Sequence, residues 1–427
     1  MRFKLKIVFY WLKNIFAKKL KSQKEVADFQ RKQLHKFANK VLRKSKFYSK
    51  YFVENQFDWS LVPEISKTDF MHHFDEINTK GILLNHAMKV ALDAENSRDF
   101  KSEINGITVG LSTGTSGKRG IFLVSENERA KWVALVMSRV IKPKLFKKQK
   151  VAFFLRANSN LYSSVESSLF EFQYFDIFKP LPQLLIELNI YKPDILASQP
   201  SVLIDIAIAQ KQKEILISPI QIISFAEVLH DSDKQLIEEI FESKITEIYQ
   251  CTEGFLGVSC SHGVMHLNED FVQFEKEWID EDKFFPIITD FSRESQPVVK
   301  YKMNDILQIR KTPCSCGSHL LAIEKIIGRD DDVLIFNNTK IYPDLISRRI
   351  AQNTDSYTKY TIVQSSENCL EIGIECNSLD FEKTKIQFIN AISQYLKEFE
   401  IENIEYVCTN KIEYISGNKN RKIRRMI

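Results

Sequence analysis

The alternation of short apolar runs with amphipathic stretches over residues 121–254 constrains this chain more than any other feature. KVAFFLRA is a strand-length apolar run, DILASQP is another that leads into a loop, and IQIISFAEVL and KITEIYQCTEG end in polar turns. ERAKWVALVMSRVI, LPQLLIELNIY, SVLIDIAIAQKQ and SDKQLIEEIFES lie beside them, with apolar residues at helical spacing. Strands separated by helices of about a dozen residues return to the sheet through a crossover and pair in parallel. The expectation is an α/β fold with mainly parallel sheets flanked by helices. Ligands of such folds sit at the carboxyl ends of the strands.

The pattern changes on both sides of this stretch. Residues 1–55 are basic, with apolar residues at helical spacing, and residues 56–105 mix short helices with loops. From Trp278 onward β-type runs dominate, as in FFPIITDF and PVVKYKMNDILQIRK. Beyond GRDDD, strand-like segments and the helical FEKTKIQFINAISQYLKEF read as a small α+β unit. A chain of 427 residues is long enough for about two or three folded units. Two are expected: a large domain over residues 1–328, which contains the β-rich portion, and a small domain over residues 329–427.

With 44% hydrophobic and 27% charged residues, the chain is globular rather than disordered. A net charge of +5 is too mild for a dedicated nucleic-acid binder. No run reaches about 18 apolar residues, so no membrane span is expected. Lys13 interrupts the apolar part of MRFKLKIVFYWLKNIFAKKLKSQK, which argues against a signal peptide. An amphipathic helix fits better, with Val8, Trp11, Leu12 and Ile15 near one face. Such a helix either packs on its own domain with a solvated basic face or touches an anionic membrane surface. The expected location is therefore cytoplasmic, or peripheral at the inner membrane face. Seven cysteines without a secretory signal suit a reducing compartment.

The most informative segment is Ser112-Thr113-Gly114-Thr115-Ser116-Gly117-Lys118-Arg119-Gly120. Its glycines allow tight turns, its hydroxyls and free N–H groups can wrap phosphate oxygens, and Lys118 adds positive charge. The spacing is not that of G-x-x-x-x-G-K-[ST]. Taken alone, the segment is either a phosphate cradle or an ordinary surface hairpin.

Four more elements follow it in order: Ser224-Phe225-Ala226-Glu227, Tyr249-Gln250-Cys251-Thr252-Glu253, Tyr301-Lys302-Met303-Asn304-Asp305 and Gly328-Arg329-Asp330-Asp331-Asp332. Their order and spacing resemble the adenylate-forming superfamily, which includes the acyl-CoA synthetases. The helical start, PEISKTDFMHHFDEINTKGI and the tail KIRRMI resemble its phenylacetate–CoA ligase branch. That branch also holds synthetases that adenylate a deazaflavin coenzyme, and CapK-like proteins linked to capsular polysaccharide synthesis.

The resemblance implies a mobile small domain and a role for each element. Ser112, Thr113, Gly114, Thr115, Ser116, Gly117 and Lys118 would bind nucleotide, with the hydroxyls and Lys118 on the β- and γ-phosphates of ATP. Ala226, Glu227 and Tyr249 would line the nucleotide pocket. Thr252 would bond the α-phosphate, and Glu253 would hold Mg²⁺, a hard ion suited to carboxylate oxygen. Asp305 would bond the ribose hydroxyls, with Arg329 assisting. A tail lysine, Lys422 in preference to Lys419, would stabilise charge developing between the carboxylate and the α-phosphate. Met303-Asn304 in place of Thr-Gly, Lys302 in place of Arg, and Cys251 depart from the family pattern.

A second set is Cys260 and His266 in VSCSHGVMHLNED, with Cys314 and Cys316 in TPCSCGSHL. Three thiols and an imidazole suit tetrahedral Zn²⁺, and some members of the resembled branch carry such a site. Four filled positions make it structural, a clip on an excursion over about residues 255–320. His262, His319 and Cys251 are rival ligands, and buried thiols beside surface histidines are the alternative without a metal. His72 and His73 have no partnered Ser or Cys motif and are expected to be ordinary surface residues.

The resemblance thus implies an ATP-dependent ligase. It would make an acyl-AMP, release pyrophosphate and transfer the acyl group to CoA or another thiol, an amine or a hydroxyl. Its partners would be Mg·ATP, a small carboxylic acid, and CoA or a carrier thiol. Two other readings stay open: an enzyme that transfers AMP to a hydroxyl, and a non-catalytic nucleotide-binding partner in surface polysaccharide assembly.

Overall fold

The structure is a computed structural model that describes residues 2–97, 102–111, 120–141, 148–155, 170–354, 356–357, 359–412 and 423–426. The chain opens with α1 (Arg2–Ile15) and α2 (Gln23–Lys40). An antiparallel hairpin of β1 (Ile107–Leu111) and β2 (Ile121–Ser125) flanks the glycine-rich segment. Then come α3 (Glu126–Arg139), β3 (Gln149–Leu155), β4 (Phe170–Asp176), α4 (Leu181–Tyr191), β5 (Ile195–Ser198), α5 (Pro200–Lys211), β6 (Gln221–Phe225), α6 (Asp231–Phe241) and β7 (Ile245–Gln250).

These strands lie in the order β4-β3-β5-β6-β7, all parallel. Helices cover both faces, so β5 and β6 are buried along their whole length. Successive side chains still take opposite faces. Leu196 and Ile222 join Leu188, Leu203, Ile206 and Ile237 on one side, whereas Ile195, Ala197 and Ile223 join Ala130, Val133 and Ala134 of α3 on the other. Burying each of these Leu or Ile side chains contributes roughly 1.5–3 kcal/mol.

The β-rich portion is an antiparallel continuation of this sheet rather than a layer of its own. Strands joined by short loops can pair only antiparallel, and β8 (Phe255–Ser259) turns back on β7. β9 (Met265–Leu267), β10 (Val272–Trp278), β11 (Lys283–Asp290), β12 (Val298–Lys302), β13 (Asp305–Ile309) and β14 (Ala322–Arg329) extend it. The order is β7-β8-β9-β14-β13-β11-β10, with β12 on β11, which makes a sheet of twelve strands among the described residues.

After β14 the chain enters a unit with its own core. A hairpin over residues 334–341 turns at Asn337 and Asn338, both left-handed at φ +48° and +66°, as a two-residue I′ turn requires. α7 (Pro343–Asn353), β15 (Lys359–Ser366), β16 (Cys369–Glu375), α8 (Phe381–Lys397), β17 (Glu405–Thr409) and β18 (Ile423–Arg425) follow. The sheet order is β17-β16-β15-β18. Phe336, Ile346, Ile362, Phe388 and Ile392 are fully buried in its core.

α1 lies on α3. Ile7 is buried there with Phe3, Tyr10 and Trp11 packed beside it, and Lys6 Nζ pairs with Glu126 at 2.8 Å. Trp11 therefore belongs to the packed face, whereas Val8, Leu12 and Ile15, expected on the same face, are exposed. The expectation merged two stripes because this helix is apolar on both sides. No helix of the described residues is long and apolar enough to cross a membrane.

Candidate functional site

The carboxyl ends of β6 and β7 and the facing ends of β13 and β14 frame a cavity of about 230 Å³, closed from the other side by the small unit. Directly after β6, Ala226 has φ +69°, a left-handed conformation that costs a non-glycine residue on the order of 1–2 kcal/mol. The turn presents Glu227 to the cavity. Its Oε2 accepts from the Ser201 N–H at 3.2 Å in the first turn of α5, a helix end that favours negative charge.

Tyr249 donates its hydroxyl proton to Asp305 Oδ2 at 2.7 Å, and Arg329 Nε donates to Asp305 Oδ1 at 3.2 Å. The antiparallel register of β13 and β14 sets Asp305 opposite Arg329, so sheet pairing joins the two motifs. Burial, with the Asp305 charge beside it, pushes the Tyr249 phenol well above its ordinary pKa and keeps it a donor.

Thr252 and Glu253 occupy the half-buried turn between β7 and β8, beside the cavity wall rather than in it. Glu253 Oε1 accepts from the Tyr301 hydroxyl at 2.8 Å. Burial, then the Glu253 charge, raises the pKa of both Tyr301 and the Cys251 thiol. Cys251 is thereby held neutral and poorly nucleophilic. Ser112, Thr113, Gly114, Thr115, Ser116, Gly117 and Lys118, and the tail residues Lys419 and Lys422, lie outside the described residues.

No sequence motif marks the small unit's contribution. Tyr357, Lys359, Tyr360 and Thr361 line the cavity. Lys359 Nζ reaches Asp205 of α5 at 2.6 Å, and burial raises the Asp205 pKa against the pull of that ammonium. The pair joins positions 154 residues apart, so nothing local in the sequence announces it.

The second set of residues comes together through β8, β9 and the loop between β13 and β14. The three sulfurs of Cys260, Cys314 and Cys316 and a ring nitrogen of His266 all lie within 4.8 Å of one another. Cys260 Sγ is 3.6 Å from Cys314 Sγ, and Cys316 Sγ is 3.3 Å from His266 Nε2. Tetrahedral zinc with metal–sulfur bonds of about 2.3 Å sets its sulfurs about 3.8 Å apart, so the donors fit that ion. His266 Nδ1 lies 3.1 Å from the Leu320 carbonyl oxygen. A carbonyl can only accept, so Nδ1 carries the proton and Nε2 turns its lone pair toward the thiols. Burial lowers the His266 pKa, which favours the neutral ring. Of the rival ligands, His262 is exposed against Ser315, His319 is exposed, and Cys251 lines the cavity instead. His72 is exposed and His73 packs half-buried on Phe47.

No protein-family model matches the chain. The sequence is similar to Protein CapK of Staphylococcus aureus, 22% identical over 347 residues that cover 74% of this chain and 71% of that protein. It is also similar to a phenylacetate-coenzyme A ligase of Thermus thermophilus, 25% identical over 161 residues, or 34% of this chain and 36% of the relative. A solved 2-hydroxyisobutyryl-CoA ligase, in the postadenylation state with 2-HIB-AMP, superposes with a TM-score of 0.67 at 18% identity, covering 94% of this chain and 89% of that one. The same ligase in its thioesterification state gives 0.52. The fold is that of the adenylate-forming enzymes. In sequence the chain is similar to CapK and to phenylacetate–CoA ligases.

Proposed function

We propose that the chain is an ATP-dependent carboxylate-activating ligase, which forms an acyl-adenylate and passes the acyl group to CoA or another thiol, amine or hydroxyl. The observation that carries this reading is the Asp305, Tyr249 and Arg329 arrangement on a cavity shared by two separately cored units. Two donors fix the Asp305 carboxylate, and each oxygen keeps a lone pair for a ribose hydroxyl. Ala226 and Glu227 line the same pocket. Thr252 would bond the α-phosphate, while Ser112, Thr113, Thr115, Ser116 and Lys118 would hold the phosphates that leave. Glu253 would hold Mg²⁺, which offsets phosphate charge when bound.

A substrate carboxylate oxygen attacks the α-phosphorus, the bridging bond to the β-phosphate breaks, and pyrophosphate leaves. Positioning and charge stabilisation carry such a step, with Lys422 offsetting charge between the attacking and departing oxygens. The acceptor thiolate then attacks the acyl carbon and AMP leaves. CoA is the acceptor that the names of the ligase relatives favour. In this reading residues 1–328 hold the nucleotide and residues 329–427 move between the two steps. The higher score against the postadenylation ligase than against its thioesterification state supports an adenylating arrangement, with Lys359 closed on Asp205.

We assign the Cys260, His266, Cys314 and Cys316 cluster to structural Zn²⁺, because four protein donors leave no open position for chemistry. A zinc–thiolate cluster of this kind suits a reducing, cytoplasmic setting.

The test is exchange of pyrophosphate into ATP across a panel of carboxylic acids, with mass spectrometry of the products. At least one acid is expected to drive exchange and yield its acyl-AMP. Nucleotide binding without exchange for any acid would leave a non-catalytic nucleotide-binding protein.

A further inference from the structure

α1 carries two apolar stripes, and only one is covered. Phe3, Ile7, Tyr10 and Asn14 recur at i, i+4, i+7 and i+11 and face α3, where Tyr10 donates to Asn127 Oδ1 at 2.8 Å and Asn14 reaches Ser138 Oγ at 3.5 Å. Leu5, Phe9, Leu12 and Phe16 repeat the same spacing on the opposite side of the helix. Phe16 continues the last turn, since its N–H donates to the Leu12 carbonyl at 2.9 Å. Leu5 and Phe9 are each 62% exposed, Leu12 43% and Phe16 81%, and Val8 and Ile15 widen the stripe. Scattered exposed apolar residues are ordinary, but six contiguous large ones on one helix mark an interaction surface.

The charge around the stripe selects its partner. Helical spacing places Lys4 and Lys13 on its two borders, both exposed. Residues 1–24 contain eight Lys and Arg and no Asp or Glu. A protein partner's apolar face has no need of that cationic frame. An anionic bilayer does, because aliphatic chains and rings enter the acyl boundary while ammonium groups remain at the phosphates. At 14 residues the helix is too short to span, so it must lie in the plane of the surface.

We propose that α1 docks the protein on an anionic membrane surface, inserting Leu5, Phe9, Leu12 and Phe16 while Ile7 and Tyr10 stay packed on α3. Docking then requires no unfolding of the large unit. The inference is independent of the carboxylate-activating reading and holds or falls apart from it.

Flotation of the full chain with phosphatidylcholine vesicles, and with otherwise identical vesicles that carry phosphatidylglycerol, tests the proposal. Retention is expected to be at least about tenfold greater on the anionic vesicles. Phe9→Glu combined with Leu12→Glu abolishes it without changing helical circular dichroism or the thermal midpoint. Lys13→Glu combined with Lys19→Glu removes the preference for phosphatidylglycerol. Ile186→Glu, at a 64% exposed apolar position on α4, changes nothing. The proposal is overturned if neither vesicle retains the chain, or if retention ignores the Phe9 and Leu12 substitutions. It is also overturned if those two substitutions instead break a dimer in solution, which makes a second copy the partner.

Discussion

The Cys/His cluster and the cavity shared by the two units are built in opposite ways. One antiparallel piece of sheet assembles the cluster. Cys260 follows β8, His266 lies in β9, and the pairing of β9 with β14 draws in the loop that bears Cys314 and Cys316. The cavity is split: Tyr249, Asp305 and Arg329 come from the large sheet, while Tyr357, Lys359 and Tyr360 come from a unit with a separate core. A site held within one sheet folds and melts with that sheet. A site shared by two cores opens when they part, which suits a substrate that must enter and a product that must leave.

The largest expected effect breaks the cluster and spares the cavity. Structural zinc contributes about 10–16 kcal/mol of apparent binding free energy in small peptides, and here it would act on a local segment. Cys314→Ser is expected to lower zinc content, read by elemental analysis. Chelation is expected to raise hydrogen exchange around residues 255–270 and 310–320, while ATP still binds. Zinc far below one equivalent in fully stable wild-type protein would remove the metal from the account.

The next effect falls on the cavity alone. Lys422→Ala is expected to slow acyl-adenylate formation in single turnovers by roughly 10²–10³-fold, with ATP affinity nearly intact. Lys419→Ala is expected to do much less, and the reverse ranking would move the role to Lys419. Asp305→Ala is expected to weaken ATP binding by about 1.5–3 kcal/mol, the scale of a charged hydrogen bond, with zinc content unchanged. Unchanged ATP affinity in that variant would sink the ribose assignment.

The smallest effect concerns the contact between the units. Lys359→Ala is expected to loosen it by about 1 kcal/mol or less, the scale of a partly exposed ion pair. Faster limited proteolysis near residues 330–334, at unchanged zinc content, is the readout. Unaltered proteolysis would show that the Asp205 contact does not hold the small unit in place.

What was legible in the sequence follows the same division. The parallel half could be read because periods of two and 3.6 residues are local properties of KVAFFLRA or SDKQLIEEIFES. The grouping of Cys260, His266, Cys314 and Cys316 could be read because thiols and imidazole declare their chemistry at any separation. That the β-rich portion continues the same sheet was not legible, since it depends on the pairing of Met265 with Ile323, far apart in the chain. The Lys359–Asp205 contact was hidden for the same reason. The placement of Trp11 was missed because periodicity finds an apolar face but cannot say which of two stripes meets the protein.

The central claim is that a carboxylate oxygen attacks the α-phosphorus of ATP. Its most direct test is a turnover with ATP, CoA and an accepted acid whose carboxylate carries ¹⁸O, followed by mass spectrometry of the AMP. Attack by the acid places its oxygen between the acyl carbon and phosphorus, and cleavage of the acyl C–O bond by the thiol leaves that oxygen on phosphorus. The expected result is AMP that carries one ¹⁸O. Unlabelled AMP formed in step with product, or AMP found attached to a hydroxyl acceptor, would contradict it.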